Sequence, residues 1–180
     1  MIGTKVEKAL NDQIREELYS AYLYLQMSAW FTTIDLHGFA NWMRVQCQEE
    51  MVHASIFYDH VLTRNGSAVL QAISAPPAKW DSPLAAIEAA LKHEQHITAC
   101  IYKLVDVANA NRDYAATAML QWFITEQVEE EANADGIIRK LKLIGSDKGG
   151  MYLLDRELGT RVFTPPAVAA AGAAPPAPGA

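Results

Sequence analysis

Four glutamates interrupt the apolar faces of four helical segments in this chain of 180 residues. They are Glu17, Glu50, Glu94 and Glu130, and each falls about halfway along its segment. A carboxylate on the buried face of a helix carries a desolvation cost on the order of several kcal/mol unless it is paired or binds a metal. His53 follows Glu50 at a spacing of three and adds an imidazole, another common metal ligand. These residue types predict a pair of metal ions held between the four segments.

Each segment shows the spacing of an amphipathic α-helix. Residues at steps of three or four share one face of a helix. The four faces read Leu10, Ile14, Glu17, Ala21, Tyr24 and Ser28; Phe39, Met43, Gln46, Glu50, His53, Phe57 and Val61; Leu84, Ile87, Leu91, Glu94, Thr98, Ile101 and Val105; and Leu120, Phe123, Gln127, Glu130, Ala134, Ile137 and Leu141. The polar residues lie inside these apolar series rather than at their edges, so we expect them to be buried.

Start and stop signals define the ends of these helices. Thr4 with Glu7 has the pattern of a capping box, and Ser82 before Pro83 is a second start signal. Gly145 ends the last apolar series. The signals predict helices over about 5–33, 38–64, 82–110 and 113–142. Glu17, Glu50, Glu94 and the pair Gln127 and Glu130 lie within about three residues of the midpoints of these spans, which is less than one helical turn. Helices packed side by side would therefore hold these residues at one level.

Connection lengths predict how the helices are arranged. The first and third connections have only a few residues, so each joins an antiparallel pair. The second connection, residues 65–81, has 17 residues. When extended it spans up to about 56 Å, against about 40 Å for a helix of this length. We therefore predict an all-α four-helix bundle with one long crossover.

Three regions follow one another along the chain. Residues 1–145 form the predicted bundle, and residues 146–160 form a short fifth helix. The fifth helix carries Met151, Leu153, Leu154 and Leu158, and a neighbouring subunit is a good candidate to bury them. Residues 161–180 are rich in Ala and Pro, with too few large apolar side chains to stabilise a fold, and we predict that they are disordered.

Composition argues against several classes of protein. A net charge of −6 disfavours nucleic-acid binding, and no apolar run reaches the length of a membrane span. Cys47 and Cys100 lack the paired spacing of a zinc site, and the chain shows no secretory signal, so we expect a reducing cytoplasm with both cysteines as small buried apolar side chains. We interpret His60, His93 and His96 as surface or hydrogen-bonded side chains rather than ligands.

Over residues 1–158 the sequence resembles the bacterial non-haem ferritins of the ferritin-like di-iron family. The resemblance rests on Arg15-Glu-Glu-Leu-Tyr-Ser-Ala-Tyr-Leu-Tyr24, Gln48-Glu-Glu-Met-Val-His53, Glu94 and Thr125-Glu-Gln-Val-Glu-Glu130. A lone Glu-x-x-His is a weak signal, whereas matching carboxylates on all four helices are a strong one. In the fourth helix Gln127-x-x-Glu130 replaces the second Glu-x-x-His of the symmetric pattern, which implies two unequal iron sites and points away from the haem-containing relatives.

The resemblance implies the iron ligands. Glu17, Glu50 and His53 would hold the first iron, and Glu50, Glu94 and Glu130 the second, with Glu50 bridging the two. Hard carboxylates with one imidazole suit Fe(II) and leave positions open for oxygen.

Further side chains acquire roles from the same resemblance. Gln127 would lie beside the second iron as a hydrogen-bond partner or weak ligand, so the residues interpreted as catalytic are Tyr24, Glu50 and Gln127. Tyr24 matches a tyrosine that can hydrogen-bond a ligand and supply an electron, and Trp122 is a weaker match for such a role. A packed core tyrosine is an equally good interpretation of Tyr24.

The resemblance also implies a third iron site facing a cavity. Its ligands would be Glu49, Glu126 and Glu129 together with Glu130. The alternative is a solvated acidic face, because helices often carry runs of glutamate on their outer side.

The implied function is iron storage. Such a protein is a ferroxidase that oxidises Fe(II) with O₂ or H₂O₂ and deposits ferric oxide-hydroxide inside a shell of twenty-four subunits, without nucleic-acid or membrane partners. Three alternatives stay open. A haem bacterioferritin would bind haem through Met51, which we disfavour; a DNA-binding mini-ferritin would place its ligands between subunits; and a non-enzymatic helical scaffold would bind no metal.

Overall fold

Five α-helices make up the computed structural model, which describes residues 1–165. Their bounds are α1 Thr4–Thr33, α2 His37–Thr63, α3 Pro83–Ala110, α4 Tyr114–Ile144 and α5 Lys148–Leu158. The predicted fold class is confirmed, and each end of the four long helices lies within two residues of its expected position. Within the described range no helix combines the length and apolar character that a membrane span requires. Residues 166–180, most of the predicted tail, lie outside the described residues.

Local side-chain chemistry explains most of the helix ends. Ser82 at the start of α3 and Asp113 at the start of α4 each accept a hydrogen bond of 3.1 Å from the backbone amide three residues on. α4 ends at Gly145, whose φ of 56° favours glycine. The capping box predicted at Thr4 is wrong: Thr4 is already helical, Gly3 occupies the N-cap position, and no side chain caps this end.

Contacts between helices show that α2 and α3 run parallel. Four of these contacts are Ile2 with Arg64 and Ser28 with Ala40 near opposite ends of the α1–α2 pair, and Ser20 with His93 and Glu16 with His96 between α1 and α3. In each pair of helices the residue numbers rise on one helix as they fall on the other, so α1 is antiparallel to both α2 and α3. The parallel arrangement of α2 and α3 follows, as the length of the crossover predicts.

The crossover follows α1 from one end to the other. Near the start of α1 the Asn11 side chain donates to the Ser67 carbonyl at 2.9 Å and accepts from the Val69 amide at 2.6 Å. Near the end of α1 Trp30 packs against Trp80, with ring centroids 5.4 Å apart. The crossover is therefore held along the bundle by side chains of α1.

α5 caps the beginning of α2. The Asp155 carboxylate accepts hydrogen bonds from the backbone amides of Gly38 and Phe39, at 2.8 and 3.0 Å. This contact replaces a local cap, because α2 has no side-chain cap of its own. Gly38 permits the approach, since a Cβ atom there would lie 1.6 Å from the Asp155 carbonyl oxygen.

The apolar side of α5 is largely covered by the same chain. Leu154 and Leu158 are buried in a cluster that includes Phe39, and Met151 is partly buried against the same cluster. The expectation that a neighbouring subunit buries the apolar side chains of α5 is therefore wrong for Leu154 and Leu158, which pack on their own bundle, whereas for Leu153 it stays a prediction. Leu153 points elsewhere and is 65% exposed.

A polar layer divides the interior of the bundle into two apolar clusters. One cluster includes Tyr24, Phe31 and Phe39, and the other includes Ile14 and Phe57. The buried polar side chains that separate them are Gln13, Glu17, Gln46, Glu50, His53, Glu94, Gln127 and Glu130. The glutamates that interrupt the four apolar series thus lie at one level of the bundle.

Candidate metal centre

Three of the predicted ligands meet within the polar layer. Glu17 of α1 and Glu50 and His53 of α2 each bring one donor atom within 4.8 Å of the other two. All three residues are no more than 2% exposed. Residues three apart share a helix face, so Glu50 and His53 direct their donors to the same side of α2. Nδ1 of His53 lies 3.2 Å from Oε2 of Glu50.

One oxygen of Glu17 lacks a hydrogen-bond partner. Its Oε1 accepts a hydrogen bond of 2.8 Å from the amide of Gln13, one turn earlier in α1. Its Oε2 is buried and is the one such side-chain polar atom without a partner among residues 1–165. Leaving a buried acceptor unpaired costs about 1–3 kcal/mol, so such atoms call for an explanation. An unpaired carboxylate oxygen beside a second carboxylate and an imidazole is well suited to bind a cation.

Glu94 reaches the layer from α3 and is held by two side chains. The Tyr24 hydroxyl donates a hydrogen bond to its Oε1. The side-chain amide of Gln127 donates to its Oε2 and to its backbone carbonyl, both at 3.2 Å. Tyr24 and Gln127, which are both predicted to be catalytic, therefore donate hydrogen bonds to the same carboxylate.

Glu130 belongs to a chain of hydrogen bonds that leads out of the layer. The amide of Gln46 donates to Oε2 of Glu130 at 2.7 Å, and the carbonyl oxygen of the same side chain accepts a hydrogen bond from Arg161. Arg161 also donates to Oε2 of Glu49 at 2.7 Å and lies 5.0 Å from the ring centroid of Trp42. Arg161 is the first residue of the predicted tail, so this position contacts the bundle beside the candidate centre.

The ligands expected for the second iron are less closely grouped. Within residues 1–165 the donor atoms of Glu50, Glu94 and Glu130 do not all come within 4.8 Å of one another. The carboxylates of Glu94 and Glu130 instead accept hydrogen bonds from side chains of neighbouring helices. These three carboxylates share the layer, and each is at most 3% exposed.

The carboxylates expected for the third site lie outside the layer. Glu49 and Glu126 are partly buried, whereas Glu129 is exposed. Burial raises the pKa of Glu49 and of Glu126. The charge of Glu126 also raises the pKa of Glu49, and the charge of Glu129 also raises the pKa of Glu126. In the described part of the chain they do not form a group with all donor atoms within 4.8 Å. Glu49 is paired with Arg161, which lowers its pKa against the effect of burial.

Burial controls the protonation of the layer. It raises the pKa of Glu17 to about 8, with the charge of Glu50 adding to the effect. Burial raises the pKa of Glu130 to about 8, and the charge of Glu94 adds to the effect. Burial raises the pKa of Glu94 to about 7, although the hydrogen bonds from Tyr24 and Gln127 lower it. Burial also raises the pKa of Glu50 well above its usual value. Without a cation, protons therefore neutralise much of this layer at neutral pH.

Aromatic side chains surround the imidazole of His53. The rings of Trp122 and Phe123 meet it edge to face, with centroids 5.4 and 5.7 Å away. Trp122, the weaker candidate for an electron donor, thus contacts a predicted ligand. Met51, the residue considered for haem, is 48% exposed on α2 and lies outside the polar layer.

Three residues that support the layer received no role from the sequence. They are Gln13, Gln46 and Arg161. Gln13 lies four residues before Glu17, a spacing that signals a partner on the same helix face. Gln46 belongs to the apolar series of α2, but its partner is on another helix. No local signal marks Arg161, because its partners are 115 and 112 residues away in the sequence.

Comparison with known proteins gives one consistent family. A family model described as a ferritin-like domain matches residues 7–144. The chain is 42% identical over 161 residues to a bacterial non-heme ferritin of Bacteroides fragilis (strain 638R), covering 89% of this chain and 100% of that relative. It is 37% identical over 163 residues to a bacterial non-heme ferritin of Staphylococcus aureus (strain MRSA252), covering 91% of this chain and 98% of that relative.

Solved structures agree with the sequence comparisons. The chain is similar to an open pore ferritin from the hyperthermophilic archaeon Archaeoglobus fulgidus, with a TM-score of 0.89, 50% identity, and coverage of 90% of this chain and 100% of that one. A closed form of the Archaeoglobus fulgidus ferritin engineered by site-directed mutagenesis matches with a TM-score of 0.90 and 50% identity, over 91% of this chain and 100% of that one.

Proposed function

We propose that this chain, which belongs to the ferritin family, oxidises Fe(II) and stores the product as ferric mineral inside a shell of its own subunits. The observation that carries the proposal is the buried group of Glu17, Glu50 and His53, in which one carboxylate oxygen has no hydrogen-bond partner. A buried anionic group of this kind is stable only when protons or cations neutralise it. Fe(II) is the substrate that the family and the hard oxygen donors favour.

Two Fe(II) ions would bind in the layer. Glu17, Glu50 and His53 hold the first, and Glu50, Glu94 and Glu130 hold the second. Both sets contain carboxylates with raised pKa values, so binding of either ion requires loss of protons. In the second set Glu94 and Glu130 also accept hydrogen bonds from neighbouring helices, so binding of the second ion requires reorientation of these side chains as well. The two sites are therefore unequal, and we expect the first to fill at lower Fe(II) concentration.

A pair of iron ions supplies the two electrons that the oxidation needs. Two Fe(II) ions lose one electron each, and O₂ takes up both electrons and two protons to become H₂O₂. When H₂O₂ is the oxidant instead, it takes up the two electrons from a pair of Fe(II) ions and two protons, and becomes two water molecules. The protons displaced from the carboxylates are available for either reaction. Tyr24 donates its hydrogen bond to Glu94, which supports a role for Tyr24 at the second iron, and the amide of Gln127 orients the same carboxylate.

Iron then leaves by the outer carboxylates. Glu49, Glu126 and Glu129, with Glu130 of the buried layer, would form the third site on the way to the cavity. The guanidinium of Arg161 pairs with Glu49 and would compete with iron for that carboxylate. We assign the protein to the cytoplasm, where a reducing environment keeps Fe(II) available and leaves the thiols of Cys47 and Cys100 unpaired.

The ferroxidase proposal is tested by adding Fe(II) to the metal-free protein in air and following ferric absorbance. The wild-type chain should oxidise Fe(II) rapidly, and Glu50→Ala, which removes the bridging ligand, should slow the initial rate by at least about tenfold. Glu88→Gln is the matched control, since Glu88 is on the surface of α3, paired with Lys142. Equal rates for Glu50→Ala and wild type would overturn the assignment.

The shell is tested separately by native mass spectrometry. Twenty-four chains of 19.8 kDa give an assembly of about 475 kDa. A monomer or dimer at micromolar concentration would contradict the storage part of the proposal while leaving the oxidation part open to its own test.

A further inference from the structure

A second group of metal-binding side chains lies between α1 and α3, outside the polar layer. Glu16 of α1 and His96 and Cys100 of α3 each bring one donor atom within 4.8 Å of the other two. We propose that these three side chains bind a divalent cation of the Zn²⁺ class, at a site separate from the iron centre. This assignment replaces the sequence interpretation of His96 as a surface side chain and of Cys100 as a small apolar one.

The distances between donor atoms fit a tetrahedral shell. Nε2 of His96 lies 3.1 Å from Oε2 of Glu16 and 3.6 Å from Sγ of Cys100. With zinc bonds of about 2.0 Å to nitrogen and oxygen and about 2.3 Å to sulfur, tetrahedral geometry separates nitrogen from oxygen by about 3.3 Å and nitrogen from sulfur by about 3.6 Å. The two distances from His96 therefore match those of such a shell before any cation binds, and the Glu16 oxygen lies within 4.8 Å of the Cys100 sulfur.

The surrounding structure holds these donors in place. His96 and Cys100 are four residues apart in α3, so they share one face of that helix. The guanidinium of Arg15 donates to Oε1 of Glu16 and leaves Oε2 directed at His96. A second partner that orients a ligand in this way strengthens metal binding. Arg15 is itself held by Gln71 of the crossover, at 3.3 Å.

The donor set selects a different cation from that of the iron centre. One thiolate, one imidazole and one carboxylate form a borderline-soft set typical of Zn²⁺, whereas the polar layer offers four carboxylates and one imidazole. Burial, followed by the charges of Glu16 and Glu17, raises the pKa of the Cys100 thiol, so this group carries its proton in the absence of metal. Binding replaces the S–H bond by a metal–sulfur bond and releases the proton to solvent.

The site is accessible and has room for a fourth ligand. The three donors line a cavity of about 290 Å³, together with Asp12 and Gln13. The side chain of His96 is 54% exposed, so a cation reaches it directly from solvent. Water can complete the tetrahedron from the cavity. Gln13 also binds Glu17, so the cavity wall is shared with the candidate iron centre.

Titration of the metal-free protein with Co²⁺ under anaerobic conditions tests the proposal. Co²⁺ adopts the zinc geometry, and a cobalt–thiolate bond gives a near-ultraviolet charge-transfer band that carboxylate sites do not give. The band should saturate at one thiolate-bound Co²⁺ per chain and disappear when Zn²⁺ is added. It should be absent in Cys100→Ser and present in Cys47→Ser, a matched control because both cysteines are free and partly buried.

Further variants separate this site from the iron centre. His96→Gln should weaken Co²⁺ binding, measured from the intensity of the band, by at least about tenfold. This variant replaces Cys100→Ser in the test if Cys100→Ser does not assemble. Glu50→Ala should leave the band unchanged, so the failure of the ferroxidase proposal would not affect this one. Absence of the band in the wild-type protein, its persistence in Cys100→Ser, Co²⁺ binding as tight in His96→Gln as in the wild type, or loss of the band in Cys47→Ser would each overturn the assignment.

Discussion

Binding of Fe(II) to the polar layer should release protons, and the number released should fall as the pH rises. The pKa is raised to about 8 for Glu17, about 7 for Glu94 and about 8 for Glu130, in each case chiefly by burial. A metal ion binds the carboxylate and not the carboxylic acid, so each protonated ligand must lose its proton first. Glu50, whose pKa is also raised, adds to the same effect.

The magnitude follows from the three pKa values. At pH 7 about nine tenths of the Glu17 and Glu130 side chains and about half of the Glu94 side chains hold a proton, about two protons from these three groups, to which Glu50 adds. The same calculation gives about three protons at pH 6 and about one at pH 8. The sign is set by the direction of the shifts, because a raised pKa keeps the proton in place up to a higher pH.

A pH-stat titration measures this number directly. Fe(II) is added anaerobically to the metal-free protein at fixed pH, and the amount of base needed to hold the pH is recorded. Dividing this amount by the amount of protein gives the protons released per chain, and dividing it by the amount of bound iron gives the protons released per ion. Omitting the oxidant separates binding from the later redox step. Glu17→Gln should release about one proton fewer at pH 7, because the amide has no proton to lose.

A surface variant provides the control. Glu88→Gln changes a partly exposed glutamate of α3 whose partner is Lys142, and it should release the same number of protons as the wild-type chain. The reasoning fails if binding of Fe(II) releases no protons at pH 7, if the number does not change between pH 6 and pH 8, or if Glu17→Gln matches the wild-type chain at saturating Fe(II).

Substitutions at three further positions test individual contacts. Tyr24→Phe removes the hydroxyl that donates to Glu94 but keeps the ring, so it should slow Fe(II) oxidation several-fold in stopped-flow absorbance without changing the number of ions bound. Gly38→Ala would bring a Cβ atom within 1.6 Å of the Asp155 carbonyl oxygen; it should displace α5 and lower the free energy of unfolding by at least about 2 kcal/mol, measured by chemical denaturation. Arg161→Ala frees the carboxylate of Glu49, so calorimetry should show tighter iron binding at the proposed third site, whereas Arg161→Lys should stay close to wild type.

The four long helices could be predicted because their signals are local. Apolar periodicity depends on a single helix, and the caps at Ser82 and Asp113 depend on residues three positions away. The length of the crossover was enough to predict that α2 and α3 are parallel. The docking of α5 could not be predicted in the same way, because Asp155 caps a helix that begins more than a hundred residues earlier.

The level of the candidate centre was also predictable, but its hydrogen bonds were not. A glutamate inside an apolar series is visible in the sequence, and the four such glutamates are all buried in the structure. Their hydrogen-bond partners, however, depend on which helices pack together. Gln46, for example, donates a hydrogen bond to Glu130 of α4 rather than to a residue of its own helix. The assignment of individual iron ligands therefore stays a prediction.

The polar layer makes the metal-free fold less stable as the pH rises, which argues that cation binding rather than stability accounts for it. Below a pH of about 4.5 Glu17 is protonated in both the folded and the unfolded chain. Between pH 4.5 and about 8 only the folded chain keeps the proton, so each pH unit removes about 1.4 kcal/mol of stability, and about 3 kcal/mol is lost by pH 7. Bound cations take the place of these protons and remove the penalty. The same burial that destabilises the empty carboxylates thus strengthens their attraction for a divalent ion, because both effects arise from the low dielectric constant of the interior.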